Sequence, residues 1–275
     1  MFDPRLALAS LSGRSDAAWA EASEGFAGAA FLGGVALDEP TREAARKLVD
    51  RDREEFLPDE PVAFVDRQLA QLADADLRPG VNVRSSSLDP IRDVAQVCAD
   101  RDAVLELNAH CRQPEMCAAG AGESLLRDLD RLREQVEAAT GEGVEPTGLA
   151  PTVSVKVRAE VPGVDLAQIA RVVADAGADA VHVDAMDSEA VVAEVAEATD
   201  LFVLANNEVR DEASVREYLA YGADAVSVGR PSDDTAVLGR VRGAVDGWFA
   251  ERGRDGAAGN RRADRGERER REVSR

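Results

Sequence analysis

One heptapeptide occurs twice in this chain in nearly the same form. Gly177-Ala178-Asp179-Ala180-Val181-His182-Val183 returns 45 residues later as Gly222-Ala223-Asp224-Ala225-Val226-Ser227-Val228. Each copy follows an amphipathic helical stretch and runs into small and β-branched apolar residues, the pattern of a helix turning back into a buried parallel strand. Two equivalent βα units favour a closed barrel of repeated units over a doubly wound sheet, which shares the alternation but not the repetition.

The remaining segments complete such a barrel. Strand-like runs are predicted at Arg5 to Leu11, Gly28 to Leu37, Gly80 to Ser85, from Ala103, at Thr152 to Arg158, Ala178 to Asp184, Leu201 to Asn206 and Ala223 to Gly229. Helices are predicted through Trp19 and Phe26, from Pro40 through Arg53, from Pro61 to about Ala75, from Asp89 to Ala99 and from about Gly122 to Ala139. In the second half they fall at Asp165 to Ala176, Ser188 to Ala198, Asp211 to Ala220 and Asp233 to about Ala250. Strands and helices alternating eight times predict an α/β fold, a (β/α)₈ TIM barrel over residues 1–250. Residues 251–275 are Arg, Gly, Asp and Glu with few apolar side chains, which predicts a disordered polar tail.

Charge limits the partners. The chain has 53 acidic residues against 33 basic ones, a formal charge of −20, and its only lysines are Lys47 and Lys156. An excess of this size suits a halophilic source, where salt screens self-repulsion, and it argues against a broad basic face for nucleic acid. With no long apolar run and no leader-like N-terminus, the chain is expected to be cytoplasmic and free of membrane contact. Three cysteines make no disulfide framework, so reduced thiols are expected.

The stretch from Ala103 to Met116, AVLELNAHCRQPEM, begins as a buried strand and ends by placing Asn108, His110, Cys111, Arg112, Gln113 and Glu115 within eight positions. Strand ends in parallel α/β folds are where ligands and chemistry gather, so this is the expected active-site strand.

The strand-end series Ala9-Ser10-Leu11-Ser12-Gly13, Val81-Asn82-Val83, Glu106-Leu107-Asn108-Ala109-His110-Cys111, Lys156-Val157-Arg158, Ala205-Asn206-Asn207-Glu208 and Val228-Gly229-Arg230 resembles that of the tRNA-dihydrouridine synthases and their archaeal relatives. It resembles the dihydroorotate dehydrogenases more distantly. The resemblance covers about residues 4 to 235 and implies an FMN-binding barrel, with NAD(P)H as electron donor, that reduces the 5,6 double bond of uridine in tRNA.

By that resemblance Lys156 would reach the flavin N1 and O2 edge, and Cys111 would protonate the pyrimidine carbon, with His110 beside it. Ser10, Asn82, Asn108 and Asp184 would line the ring and base, and Asn206, Asn207, Gly229 and Arg230 would cradle the phosphate. Arg112, Arg84 and the tail would help to hold RNA. The pattern departs from the family at His110-Cys111-Arg112, where Gly-Cys-Pro is usual, at Asp184, where a histidine is usual, and at Asn207, where a glycine is usual.

Other readings of the same residues stay open. A small pyrimidine could replace tRNA as substrate, or flavin could be bound by a protein whose chemistry has degenerated. Cys98 reads as core filler on an apolar helix face, and Cys117 with His110 and Cys111 lacks the spacing and the fourth ligand of a metal site. His182 reads as a barrel-interior residue or a catalyst, and Lys156 as a functional ammonium or a structural ion-pair partner.

Overall fold

A computed structural model of the chain describes residues 1–141 and 150–252. Eight parallel strands close into one barrel: β1 (Leu6–Leu8), β2 (Ala29–Ala36), β3 (Arg78–Arg84), β4 (Val104–Asn108), β5 (Thr152–Arg158), β6 (Ala180–Asp184), β7 (Phe202–Asn206) and β8 (Ala225–Val228), with β8 pairing back onto β1. Around them lie α1 (Ala17–Glu21), α2 (Glu39–Val49), α3 (Pro61–Gln71), α4 (Asp89–Asp100), α5 (Pro114–Ala118), α6 (Leu129–Thr140), α7 (Leu166–Asp175), α8 (Val191–Ala198), α9 (Glu212–Ala220) and a last helix, α10, over 235–252. The (β/α)₈ barrel is therefore the fold the alternation predicts. Most of the loop after Gly141 and the tail from residue 253 lie outside the described residues.

The repeat has a structural cause. Gly177 and Gly222 take φ of 91° and 97°, a left-handed turn that costs an L side chain energy and glycine almost none. The aspartate two residues on then turns its carboxylate to the strand before it. Asp179 Oδ2 accepts the Val153 N–H on β5 at 2.8 Å, and Asp224 Oδ2 accepts the Val203 N–H on β7 at 2.9 Å. Each copy thus clasps its own strand to the preceding one at the N-terminal rim of the barrel.

Inside, the barrel is divided in two along its axis. The lower half is filled by Phe2, Ala7, Ala29, Phe31, Val104, Leu204 and Ala225, with Phe202 packed against them. The upper half, toward the strand C-termini, carries Asn82, Arg84, Glu106, Asn108, Lys156, Arg158, His182 and Ser227, all less than a tenth exposed. The outer faces of the strands, among them Leu8, Val83, Leu107, Val157 and Val183, form the larger core beneath the helices. A buried polar layer above an apolar floor marks the end of the barrel where ligands are met.

Local departures from the predicted boundaries have physical reasons. β1 stops at Leu8 because the chain turns at once, Ser15 Oγ bonding to Leu11 O and Gly33 O at 2.9 and 2.8 Å. β3 starts two residues earlier than expected and includes Pro79, and Gly80 lets the Phe31 ring lie against its backbone. The helix expected from Gly122 is a 3₁₀ turn over Gly122–Arg127, and α6 starts afresh after Asp128, whose carboxylate accepts the Arg131 N–H at 3.2 Å. Of the described helices none is long and apolar enough to cross a membrane.

Candidate active site

The strand ends bring most of the predicted residues to one rim. Asn108 ends β4, Lys156 lies opposite it on β5, and His182 lies opposite Lys156 on β6. One step further up, Arg158, Asp184 and Asn206 are in register across β5, β6 and β7, with Ser227 of β8 opposite Asn206. The side-chain period of two sends all of these into the barrel.

Lys156 is 2% exposed, and among the described residues its ammonium has no hydrogen-bond or ion-pair partner. The Glu106 carboxylate acts on it through charge alone, so the ammonium keeps its hydrogen-bonding capacity for an acceptor that the protein does not supply. Asp184 Oδ1 is likewise buried without a partner at the end of β6. Ser10 is half-buried just past β1.

The loop after β4 is held from two sides. Asn108 Oδ1 accepts the N–H of Cys111 at 3.0 Å and of His110 at 3.3 Å. The Cys111 carbonyl accepts the Glu123 N–H at 2.9 Å and faces the Cys117 thiol at 3.5 Å. At Gly122, with φ of 65°, a Cβ would come within 2.2 Å of that carbonyl, so the returning chain can pass only as glycine. Cys111 is half-buried, and the Arg84 guanidinium faces its thiol. Burial, then the nearby charges of Lys156, Arg158 and Arg84, hold the His110 imidazole well below the usual histidine range, so it is neutral.

Arg84 corrects an expectation. It is 1% exposed and bound to Glu55, Gly34 O and Ser12 Oγ, so it supports the rim from within and has no face for RNA. Arg112 is exposed on the Cys111 loop. Asn82 is fully buried with both ends of its amide engaged, Nδ2 to Glu106 at 2.7 Å and Oδ1 with Asn108 at 2.8 Å. It therefore stands behind Asn108.

The far side of the rim carries the residues expected at a phosphate. Asn206 Nδ2 donates to Ser227 Oγ and O at 2.8 and 3.0 Å. Asn207 and Glu208 take φ of 106° and 51°. Asn207 is fixed there by Nδ2 donating to Met186 O at 2.6 Å and by Tyr218 Oη donating to its carbonyl at 3.0 Å. Gly229 opens onto free space, and Arg230 is exposed at the start of a 3₁₀ turn over Arg230–Asp233.

Two residues lie at the centre: Glu106, left without a role by sequence reasoning, and His182, read there as a barrel-interior residue or a catalyst. Glu106 and His182 are both 0% exposed, and Glu106 Oε2 meets His182 Nδ1 at 2.6 Å. A charged residue flanked by leucines in a buried strand was the available signal for Glu106, since such a carboxylate needs a partner. Among the described residues no three His, Cys, Asp or Glu side chains are grouped to hold a metal ion.

A parallel barrel with an unpartnered lysine, an amide-held cysteine loop and strained turns at its C-terminal rim defines a small-molecule or cofactor site of the kind such barrels carry. The chain belongs to the dihydrouridine synthase family, whose model matches residues 65–239. An uncharacterized protein of Methanocaldococcus jannaschii is 28% identical over 240 residues, covering 83% of this chain and 89% of that one. Among solved structures, DHODH from Eimeria tenella in complex with ferulenol shares the fold with a TM-score of 0.65 at 17% identity, covering 90% of this chain and 82% of that one. FabK from Thermotoga maritima does so with a TM-score of 0.53 at 17% identity, covering 83% of this chain, which spans 58% of FabK's length.

Proposed function

We propose that the chain is an FMN-dependent oxidoreductase that reduces the 5,6 double bond of uridine in tRNA. The observation that carries this is Lys156, 2% exposed and with no hydrogen bond or salt bridge to its ammonium among the described residues, at the C-terminal rim of a dihydrouridine synthase-family barrel. Bound FMN supplies two-electron reduction of a carbon–carbon double bond. Lys156, Ser10, Asn108 and Asp184 would hold the ring, and the turns at Asn206, Asn207, Gly229 and Arg230 would hold the phosphate.

The protein's own contribution is charge and proton placement. Lys156 would set a fixed positive charge beside a bound flavin ring, where it would favour the reduced, negatively charged form. Cys111, on a loop fixed by Asn108, gives its proton to the pyrimidine carbon. Neutral His110, next in the chain, would return a proton to that thiol from solvent. NAD(P)H is the proposed electron donor.

The visible spectrum of protein purified in high salt tests the cofactor: flavin absorption, with FMN released on denaturation, is expected. A colourless protein that cannot be reconstituted with FMN overturns the reading. Loss of dihydrouridine from tRNA in a deletion strain tests the substrate. A small pyrimidine is the second reading, favoured by the burial of Arg84, which leaves Arg112 as the exposed arginine of the two expected at the RNA. Unchanged tRNA in the deletion strain selects it, and flavin binding without turnover of either substrate would mark degenerate chemistry.

A further inference from the structure

Six side chains cross the upper barrel in one unbroken line. Asn108 Nδ2 donates to Asn82 Oδ1 at 2.8 Å, and Asn82 Nδ2 donates to Glu106 Oε1 at 2.7 Å. Glu106 Oε2 meets His182 Nδ1 at 2.6 Å, His182 Nε2 meets Ser227 Oγ at 2.8 Å, and Asn206 Nδ2 donates to that oxygen at 2.8 Å. The line starts at the Cys111 loop and ends beside the Asn207 turn, at opposite sides of the rim.

We propose that Glu106 is a positioning residue whose carboxylate sets the direction of every hydrogen bond in this line, and so orients both the Cys111 loop and Asn206. A carboxylate only accepts. Toward β3, it therefore requires the amide nitrogen of Asn82, which turns Asn82 Oδ1 to Asn108 and forces Asn108 to spend its nitrogen there. Only then is Asn108 Oδ1 left to accept the N–H groups of His110 and Cys111. Toward β6, it requires a proton on His182 Nδ1, which leaves Nε2 as an acceptor for the Ser227 hydroxyl, whose oxygen then accepts from Asn206.

The surroundings agree with that assignment. Burial raises the Glu106 carboxyl, but His182, Lys156 and Asn82 outweigh this and hold it below the ordinary range, so it is charged. Burial and Lys156 hold His182 below its ordinary value against the pull of Glu106 and Asp184, so it is neutral and has one proton to place. The Phe31 ring, centred 5.6 Å from the imidazole, closes the lower side. The role this gives Cys111 rests on the function proposed above; the direction of the line does not.

The chain contains two histidines, so its ¹⁵N imidazole spectrum is simple to assign with a His110→Gln variant. The full-length protein is expected to show His182 protonated at Nδ1. In Glu106→Gln the new amide nitrogen should face His182, moving the proton to Nε2 while Ser227 turns its hydroxyl to Ala205 O, 3.4 Å away. Asn82 would still be accepted by the glutamine oxygen, so the Cys111 N–H stays protected. Asn82→Leu should do the reverse, leaving the His182 tautomer alone and speeding exchange of the Cys111 amide by about tenfold or more.

A wild-type His182 protonated at Nε2 overturns the proposal, as does a tautomer that Glu106→Gln does not change. Unchanged Cys111 exchange in Asn82→Leu also overturns it. Both readouts are taken without substrate, so a colourless protein would sink the flavin reading and leave this test standing.

Discussion

Arg84 and Glu55 are joined inside the protein, Nη2 to Oε2 at 2.5 Å, with side chains 1% and 3% exposed. The pair comes from the end of β3 and the segment between α2 and α3, and it anchors that segment to the rim. Removing one partner leaves the other charge buried alone. Glu55→Ala should therefore cost about 3–5 kcal/mol, seen as a lowered denaturant midpoint. The double change with Arg84→Met should recover part of that loss. A Glu55→Ala protein as stable as the parent would refute the ion pair's structural role.

Cys111 and Lys156 serve different steps in the proposed reaction, so their loss should show differently. Cys111→Ala should keep its flavin and accept electrons from the donor, yet turn over about 10² to 10⁴ times more slowly. Lys156→Ala should bind FMN more weakly or lower its reduction potential. Wild-type turnover in Cys111→Ala would remove the acid assignment and shift attention to His110.

Acid should destabilise the protein early. His110 and His182 are both held below the ordinary histidine value, so below about pH 6.5 the unfolded chain binds protons that the native state does not. Stability then falls as pH falls, with a slope from fully buried His182 that can reach at most about 1.4 kcal/mol per pH unit. Glu106 and Asp38, with lowered values, hold their contributions above the ordinary carboxylate range and lose them only at lower pH. Urea midpoints measured from pH 7 to pH 5 check this, and a flat profile would refute it.

Asp38 ties α2 to the end of β3. Its Oδ1 takes the Thr41 hydroxyl and N–H, and its Oδ2 takes the Ser86 N–H and hydroxyl at 2.7 and 2.6 Å. Asp38→Ala removes the helix cap and strands these donors, which should cost about 1–3 kcal/mol of unfolding free energy in a thermal or urea melt.

The fold was legible because its signal is periodic. Eight apolar runs separated by amphipathic helices leave few architectures, and a duplicated Gly-Ala-Asp turn chooses among them. Boundaries set by single contacts were not legible: nothing in Leu6 to Leu11 announces that Ser15 will fold back and end β1. At the site, Asn108, Cys111 and Lys156 stood out as polar residues at strand ends. Glu106 did not, because a side chain pointing into a barrel is indistinguishable in sequence from one pointing at a helix until the register is known, and His182 was read as interior or catalytic without its partner being visible. Arg84 was misplaced for the same reason, since an arginine at a strand end reads as exposed and only the position of Glu55 shows otherwise.

The two aspartate clasps at the lower rim, Asp179 to Val153 and Asp224 to Val203, make each copied unit self-fastening. A segment that carries its own latch to the strand before it can be copied, swapped or spliced within a lineage without new contacts having to arise elsewhere. Because the latch sits at the end away from Lys156 and Cys111, such an exchange leaves assembly to the bottom of the molecule and frees the top to change what it acts on. The same separation offers a rational cut point for building chimaeras: a graft beginning at Gly177 or Gly222 brings its fastening with it.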